Sequence, residues 1–320
     1  MSLFRMKKPA FLTLSLILAL FPALVFPALT HAQRDDDDDD DRPVVRPALK
    51  PGEMPLDADF VCPYTKDYQR PQQFGKFTLR MSVHPKTPGS RCVATITSSK
   101  SHTAIVSDWA LTVDPISGAD VDHDGEPDVV IEGYSGGERC CFTYSVIALS
   151  EPPRVLRKIE TRSPLIFEKQ PDGRIVIRGA DVSFDYFIIP HFAAVIPQVY
   201  LKLDGTRLLD AGAQFQAQYD KQIAEARNQL TQANLDKFRQ SSYHEKMFTD
   251  QIPTVHRVLT IVLNYLYSGR EAQAWQTLDE MWPASDRERV KNLILERRGR
   301  GLLSQLNTGG NVATAAKKGQ

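Results

Sequence analysis

Short runs of β-branched and aromatic residues, separated by Gly, Pro and Asp, fill the chain between about residues 59 and 210. Such residues favour strands and the separators favour turns, so the pattern predicts an antiparallel meander. Asp-Gly pairs within 171–174 and 203–206 are typical of tight hairpins. The predicted strand runs are 74–83, 91–98, 102–113, 127–133, 141–149, 154–160, 165–170, 174–179, 182–189, 193–203 and 207–211.

The hydrophobic pattern changes its period after about Ala213. Apolar residues at positions 215, 219, 223, 226 and 230 recur at intervals of three and four, which is typical of a helix with one buried face. Gly269 is placed to end a helix. Ser285, followed three residues later by Glu288, matches a capping box. The further predicted helices are 254–269, 270–282 and 285–298.

These patterns together predict an α+β fold. An antiparallel β meander at 59–210 precedes an α-helical region at 211–304 and a disordered tail at 305–320. The strand-rich part supplies roughly three propeller blades, fewer than the four that a closed propeller needs. We therefore expect a partial, propeller-like stack of sheets or a β-sandwich.

The N-terminal segment has the features of an export signal. Basic residues near the start precede an apolar run at 11–20, and small residues end at Ala32. The pattern predicts a signal peptide at 1–32 and a periplasmic or secreted protein. The alternative is an uncleaved anchor over 10–29, since these 20 residues are mostly apolar. No later segment is long and apolar enough to span a membrane.

The segment that follows the signal is polar and rich in proline. Seven aspartates, Asp35 to Asp41, repel one another, and four prolines occur within 42–57. Residues 33–58 are therefore predicted to be a disordered linker. Over the whole chain, 39 Lys and Arg balance 39 Asp and Glu, so a nucleic-acid partner is not expected.

The chain has four cysteines, and an even number in an exported protein predicts disulfides. Sequence alone leaves three connectivities open, with buried thiols as the alternative. Zinc is disfavoured because no second C-x-x-C pair exists. The disulfide candidates are Cys62, Cys92, Cys140 and Cys141.

The strongest chemical signal is the string DVDHDGEPD at 120–128. Carboxylates at alternate positions of a tightly turning backbone supply the hard oxygen ligands that calcium requires. Gly125 permits the sharp turn. Ile131 occupies the position where an EF-hand has Glu, and the flanks are strand-like, so an EF-hand is excluded. The predicted Ca²⁺ ligands are the side chains of Asp120, Asp122, Asp124 and Asp128 and the carbonyl of Glu126.

This D-x-D-x-D-G-x-x-D string resembles the calcium hairpins of FG-GAP and VCBS-type repeats. In those repeats the last Asp begins the outgoing strand, which implies the same role for Asp128. The longer segment 120–149 and the helical segment 266–283 resemble parts of exported bacterial proteins, and this resemblance implies no activity. The alternative for the loop is a solvated acidic turn without metal.

The string GYSGG at 133–137 matches the G-x-S-x-G pattern of a serine hydrolase. A nucleophile elbow at Ser135 requires a helix after the serine, whereas 141–149 is predicted to be a strand. Asp181 or Asp185 with His191 follows the chain order of a triad, although both residue types are common. The pattern therefore favours a wide hairpin turn over a catalytic site.

These features predict an exported cell-envelope protein whose β hairpin holds a structural calcium ion. We expect a binding or scaffolding module without catalysis, with a protein or glycan partner. Two alternatives stay open: a secreted serine or metal-dependent hydrolase, and a carbohydrate or surface adhesion module.

Overall fold

The structure, a computed structural model, describes residues 71–83, 92–108, 110–135, 141–241 and 250–306. The predicted signal peptide at 1–32, the predicted linker at 33–58, Cys62 and Cys140 lie outside these ranges.

Within the described ranges, twelve strands form three antiparallel four-stranded sheets, each built from strands that are consecutive in the chain. The first sheet contains β1 (Gln72–Phe74), β2 (Phe77–Val83), β3 (Cys92–Thr97) and β4 (His102–Asp108). The second contains β5 (Ala110–Val113), β6 (Asp128–Tyr134), β7 (Phe142–Ala148) and β8 (Arg154–Thr161). The third contains β9 (Ile166–Lys169), β10 (Ile175–Ala180), β11 (Gln198–Asp204) and β12 (Arg207–Asp210).

The second sheet is buried on both faces. Val129 and Ile131 of β6 pack in one apolar cluster with residues of the first sheet, such as Leu79. Val130, between them, belongs to a second cluster that includes residues of the third sheet, such as Ile177. Because neighbouring strand residues point to opposite faces, this alternation stacks the three sheets as layers.

In the described part of the chain, five α-helices follow the strands and share the second apolar cluster with the third sheet. They are α1 (Gln216–Asn228), α2 (Gln232–Arg239), α3 (Ile252–Tyr267), α4 (Glu271–Met281) and α5 (Arg287–Arg298). The first turn of α1 is preceded by a 3₁₀ turn at Gly212–Phe215. At Gly212 a β-carbon would lie 2.1 Å from the carbonyl oxygen of Tyr267, so only glycine permits this approach to the end of α3.

The C-terminal end of the described chain returns to the second sheet. A 3₁₀ turn at Leu302–Gln305 buries Leu302 and Leu303. The N–H of Glu160 in β8 donates to Gln305 Oε1 at 3.0 Å. The helical region is therefore joined to the second sheet as well as to the third. Residues 307–320 lie outside the described ranges.

The predicted strand at 182–189 is wrong. Val182–Phe184 is a 3₁₀ turn, and Tyr186 and Ile188 have positive φ angles of 53° and 64°. The Asp181 carboxylate accepts a hydrogen bond from Ser183 N–H and another from Tyr267 Oη at 2.6 Å. These bonds and the burial of Phe184 bend the chain towards the helices, which the alternating sequence does not reveal.

Two smaller predictions also differ from the structure. The run 102–113 is two strands in different sheets, β4 and β5. The capping box at Ser285 and Glu288 does not form, because Asp286 occupies the N-cap of α5 without a side-chain cap. Its carboxylate instead accepts hydrogen bonds from Trp282 Nε1 and Arg289.

The α+β class and the antiparallel meander are confirmed. Both predicted Asp-Gly hairpins form, joining β9 to β10 and β11 to β12. Within the described ranges the three sheets do not close into a barrel or a propeller. No helix in these ranges is both long enough and apolar enough to cross a membrane.

Candidate metal centre

The acidic loop lies between β5 and β6 of the twice-buried second sheet. Its two ends are joined, because Asp128 N–H donates to Ala119 carbonyl at 2.8 Å and Gly118 N–H donates to Asp128 carbonyl at 2.7 Å. Val121, within the loop, is fully buried in the cluster shared with the helices. The loop is therefore anchored to the core at its base and at one internal residue.

Three carboxylates of the loop converge. One ligand oxygen from each of Asp120, Asp122 and Asp124 lies within 4.8 Å of the others, so the three are able to hold a metal ion. Backbone N–H groups also turn inwards: Asp124 N–H donates to Asp120 Oδ1 at 3.1 Å, and Gly125 N–H donates to Asp120 Oδ2 at 3.1 Å. The chain thus wraps around the carboxylates as the aspartate spacing predicts.

The turn depends on two residues in the left-handed region. Gly125 has φ +93°, and nothing lies within 4 Å of the place where its β-carbon would stand. The glycine is therefore required by backbone conformation and not by space. His123, with φ +66°, is a less common occupant of this region, although His adopts it more often than most residues.

Asp128 is fully buried and begins β6. Its Oδ2 accepts hydrogen bonds from Val121 N–H at 2.7 Å and Asp122 N–H at 3.3 Å. The cluster of three converging carboxylates does not include it. Asp128 therefore closes the loop through its backbone contacts, and its contribution as a ligand stays a prediction, as does that of the Glu126 carbonyl.

Two buried carboxylate oxygens in this loop have no hydrogen-bond partner. They are Oδ2 of Asp122, whose residue is 2 % exposed, and Oδ1 of Asp128, whose residue is 0 % exposed. An unpaired buried carboxylate oxygen is costly, because its desolvation is not repaid by a hydrogen bond or a cation. A cation bound beside these oxygens would supply the missing interaction.

The pKa values of the loop carboxylates also indicate that a cation would be stabilising there. Burial, together with the neighbouring charges of Asp122 and Asp124, raises the pKa of Asp128 to about 7, although the two N–H donors lower it. Burial also raises the pKa of Asp122, and the nearby Asp124 and Asp120 carboxylates add to the rise. The protein alone therefore leaves an excess of negative charge in the loop, which a divalent cation would neutralise.

One contact of the loop has no signal in the sequence. Gly205 N–H, in the hairpin between β11 and β12, donates to the Asp122 carbonyl at 3.2 Å. The hydrogen bond joins a predicted metal ligand to the third sheet. The sequence carries only the turn signal of 203–206, which predicts the hairpin and not its neighbour.

Ser135 lies at the end of β6 and begins the connection to β7. Its N–H donates to the Cys141 carbonyl at 3.1 Å, and its Oγ accepts from Cys141 N–H at 3.0 Å. The described chain resumes at Cys141 and enters the strand β7, whereas a nucleophile elbow requires a helix after the serine. His191 Nδ1 lies 2.6 Å from Asp185 Oδ1 and its ring stacks on Tyr186.

The described cysteines lie at the starts of two strands. Cys92 begins β3, and Cys141 precedes β7. Both are disulfide-bonded. Which cysteine pairs with which stays a prediction, since Cys62 and Cys140 lie outside the described ranges.

The FG-GAP resemblance rests on the loop alone. The geometry provides converging carboxylates between two strands, and it does not identify the metal. Searches against protein-family models, curated proteins and solved structures found no match to this chain.

Proposed function

We propose that the chain is an exported cell-envelope protein whose β region is stabilised by a structural Ca²⁺ ion in the 120–128 loop. It serves as a binding or scaffolding module and not as a catalyst. The observation that supports this most is the pair of buried, unpartnered carboxylate oxygens of Asp122 and Asp128, beside three converging carboxylates.

The chemistry of the donors favours calcium over other divalent metals. The loop offers carboxylate oxygens and backbone carbonyls, which are hard ligands, whereas zinc sites in proteins use mostly Cys and His. Magnesium demands near-ideal octahedral geometry and gives up its water reluctantly. A loop with several oxygen donors at irregular positions suits the larger and less directional Ca²⁺ ion.

The position of the loop favours a structural role. Val121 is buried in the large apolar cluster, and Asp128 begins β6 at the centre of the fold. A cation held there ties the β5–β6 connection to the third sheet through the Asp122–Gly205 hydrogen bond. Carboxylate-bound Ca²⁺ is also a poor activator of water compared with zinc, which argues against hydrolysis at this loop.

Thermal unfolding in the presence of calcium and of EGTA tests the proposal. Calcium that binds only the folded state raises the free energy of unfolding by about 2.7 kcal/mol when free calcium is 100 times Kd. We expect the melting temperature to rise with calcium. An identical melting temperature in EGTA and in saturating calcium would contradict the proposed function.

Export predicts a defined mature N-terminus. Mass spectrometry of protein recovered from outside the cytoplasm is expected to find a chain beginning at Gln33, because the small residues at Thr30 and Ala32 favour cleavage there. Recovery of full-length chain in the membrane fraction would instead support the uncleaved anchor.

A fluorophosphonate probe tests the serine hydrolase alternative. The Ser135 hydroxyl accepts a hydrogen bond from Cys141 N–H and precedes a strand, so we expect no covalent labelling of the wild type above that of Ser135→Ala. The Ser145→Ala variant, a buried serine in β7, serves as a control for non-specific effects. Labelling that Ser135→Ala alone removes would establish a nucleophile and overturn the non-catalytic role.

A further inference from the structure

A cleft of about 350 Å³ lies beside the acidic loop, at the end of the third sheet where its two hairpins turn. His123 of the loop forms one side, and the β9–β10 hairpin, including Arg174, forms another. Lys202 of β11 lines it, and the remaining side is formed by Phe215 and by Gln218 of α1. The cleft is therefore built from four separate parts of the chain.

The face of the third sheet that lines this cleft is defined by the alternation along β11. Leu201 and Leu203 are fully buried on one face, and Tyr200 and Lys202 lie on the other. Tyr200 stacks flat on Phe215, with ring centroids 4.0 Å apart. This stack fills one part of the face and leaves half-buried Lys202 beside open space.

Several polar groups that line the cleft have no partner within the described part of the chain. The Lys202 ammonium makes no ion pair or hydrogen bond there, and neither do the side-chain amides of Gln214 and Gln218 or the imidazole of His123. Arg174, in contrast, is paired with Asp172, its Nε lying 2.7 Å from Asp172 Oδ2. Lys202 therefore supplies the uncompensated positive charge of the cleft.

These groups match the chemistry of one ligand class. An ammonium pairs with a carboxylate, while primary amides both donate to and accept from hydroxyl groups. The half-buried ring of Phe215 adds an apolar surface on which a sugar ring is able to pack. A saccharide that carries carboxylate groups presents hydroxyls, a carboxylate and a weakly polar ring face together.

The cleft also shares structure with the metal centre. His123 lies between the converging ligands Asp122 and Asp124 and holds a positive φ of 66°. The Asp122 carbonyl accepts a hydrogen bond from Gly205, in the hairpin that begins directly after β11 and so follows Lys202. A cation that fixes the loop therefore fixes one side of the cleft before the ligand arrives, which reduces the ordering cost of binding.

We propose that this cleft binds an acidic saccharide and that Ca²⁺ in the 120–128 loop strengthens the binding. The proposal rests on the proposed function for its calcium dependence, and it assigns a ligand class to the binding module. Its ligand contacts are Lys202 to the carboxylate, Gln214 and Gln218 to hydroxyls, and His123 on the calcium-loop side.

Titration calorimetry with a glucuronic acid trimer tests the proposal on the full mature chain. The methyl ester of the same trimer, which lacks the negative charge, is the paired probe. In calcium, Lys202→Gln is expected to weaken binding of the acid by at least about tenfold, because a charge-assisted contact is lost. Lys202→Arg is expected to retain most of the affinity, and Lys158→Gln, an exposed lysine of β8, is the matched control.

The calcium dependence has its own readout. Exchange of calcium for EGTA is expected to weaken trimer binding by about fivefold or more, within the usual range of coupling between sites. Asp122→Asn in calcium is expected to bind the trimer as weakly as the wild type in EGTA. Both proteins are measured in the same calcium concentration, so any calcium that binds the trimer in solution affects both equally. A difference between them therefore reports the metal bound in the loop.

The outcomes separate the two proposals. If the melting temperature depends on calcium but the trimer does not bind, the saccharide site is overturned and the metal centre is not. The same conclusion follows if Lys202→Gln binds the trimer as tightly as the wild type does. Equal binding of the acid and its ester overturns the acidic class. Equal trimer affinity in calcium and in EGTA overturns the coupling between the calcium site and the cleft. A melting temperature that does not change with calcium overturns the proposed function itself.

Discussion

The variant Asp122→Asn is expected to abolish the calcium-dependent rise in melting temperature. For the wild type, a stabilisation of about 2.7 kcal/mol at 100 times Kd corresponds to a rise of roughly 5–10 °C, since 1 kcal/mol moves the midpoint by about 2–4 °C in a domain of this size class. Asp122 is expected to contribute the largest share because one of its oxygens is buried and unpartnered and the residue belongs to the converging cluster. Differential scanning calorimetry in calcium measures the loss.

The same variant in EGTA has an expected effect of the opposite sign. Without a cation, the Asp120, Asp122 and Asp124 carboxylates repel one another, and asparagine removes one of the three charges. Its side-chain oxygen still accepts the hydrogen bond from Asp124 N–H. We therefore expect Asp122→Asn to be at least as stable as the wild type in EGTA and less stable in calcium.

The variant is thus expected to be less stable than the wild type in calcium but not in EGTA. This reversal distinguishes loss of a metal ligand from damage to the fold. Asp279→Asn, on the exposed side of α4, is the matched control and is expected to retain the full calcium response. If Asp122→Asn is destabilised equally in calcium and in EGTA, the result would contradict the metal role of this residue. Its carboxylate would then stabilise the fold only through contacts with other protein groups.

The second large effect is expected for Trp282→Ala, with a loss of about 3–5 kcal/mol in the free energy of unfolding. Trp282 is fully buried after α4, and its ring meets Phe238 edge to face at 5.0 Å. Its Nε1 donates to Asp286 Oδ2 at 3.0 Å, so truncation also removes one donor from a buried carboxylate. The change leaves a large cavity among the helices.

Hydrogen exchange measures how far that loss extends. The helices and the third sheet share one apolar cluster, so the amides of β10 are expected to lose protection together with those of α3. Trp275→Ala is the matched control, because this half-buried indole bonds Glu271 and packs under Lys291 at the surface. Unchanged protection of β10 in Trp282→Ala would show that the sheets and the helices unfold independently.

Much of the sheet structure is predictable from the sequence because its signals are local. The Asp-Gly pairs at 172–173 and 204–205 form turns, where Gly173 and Gly205 have φ of +87° and +57°. Helix α3 ends where Gly269 adopts φ +77°. At these places a single residue type satisfies the backbone conformation, so no knowledge of the rest of the fold is required.

The failures occur where side-chain contacts other than the expected ones decide the local structure. The segment 182–189 alternates as a strand does, yet Asp181 bonds Tyr267, which lies 86 residues further along the chain. Ser285 and Glu288 have the spacing of a capping box, but Asp286 interacts with Trp282 and Arg289 beside it. A tertiary contact overrides the local pattern in the first case, and competing hydrogen bonds from nearby side chains override it in the second.

The metal centre also has one part that the sequence predicts and another that it does not. The spacing of Asp120, Asp122 and Asp124 predicts their convergence, because alternate positions of a turning loop face inwards. The spacing does not predict that Asp128 closes the loop with one oxygen and leaves the other buried without a partner. The contact with Gly205 likewise depends on how the second and third sheets pack.

Isothermal titration of calcium into the full mature chain, freed of metal, tests the central claim most directly. The aspartate run at 35–41 attracts cations weakly in any variant, so the comparison is between the wild type and Asp122→Asn. We predict one saturable site per chain in the wild type that the variant lacks, above a weak background common to both. Identical isotherms for the two proteins would contradict a calcium site in the 120–128 loop.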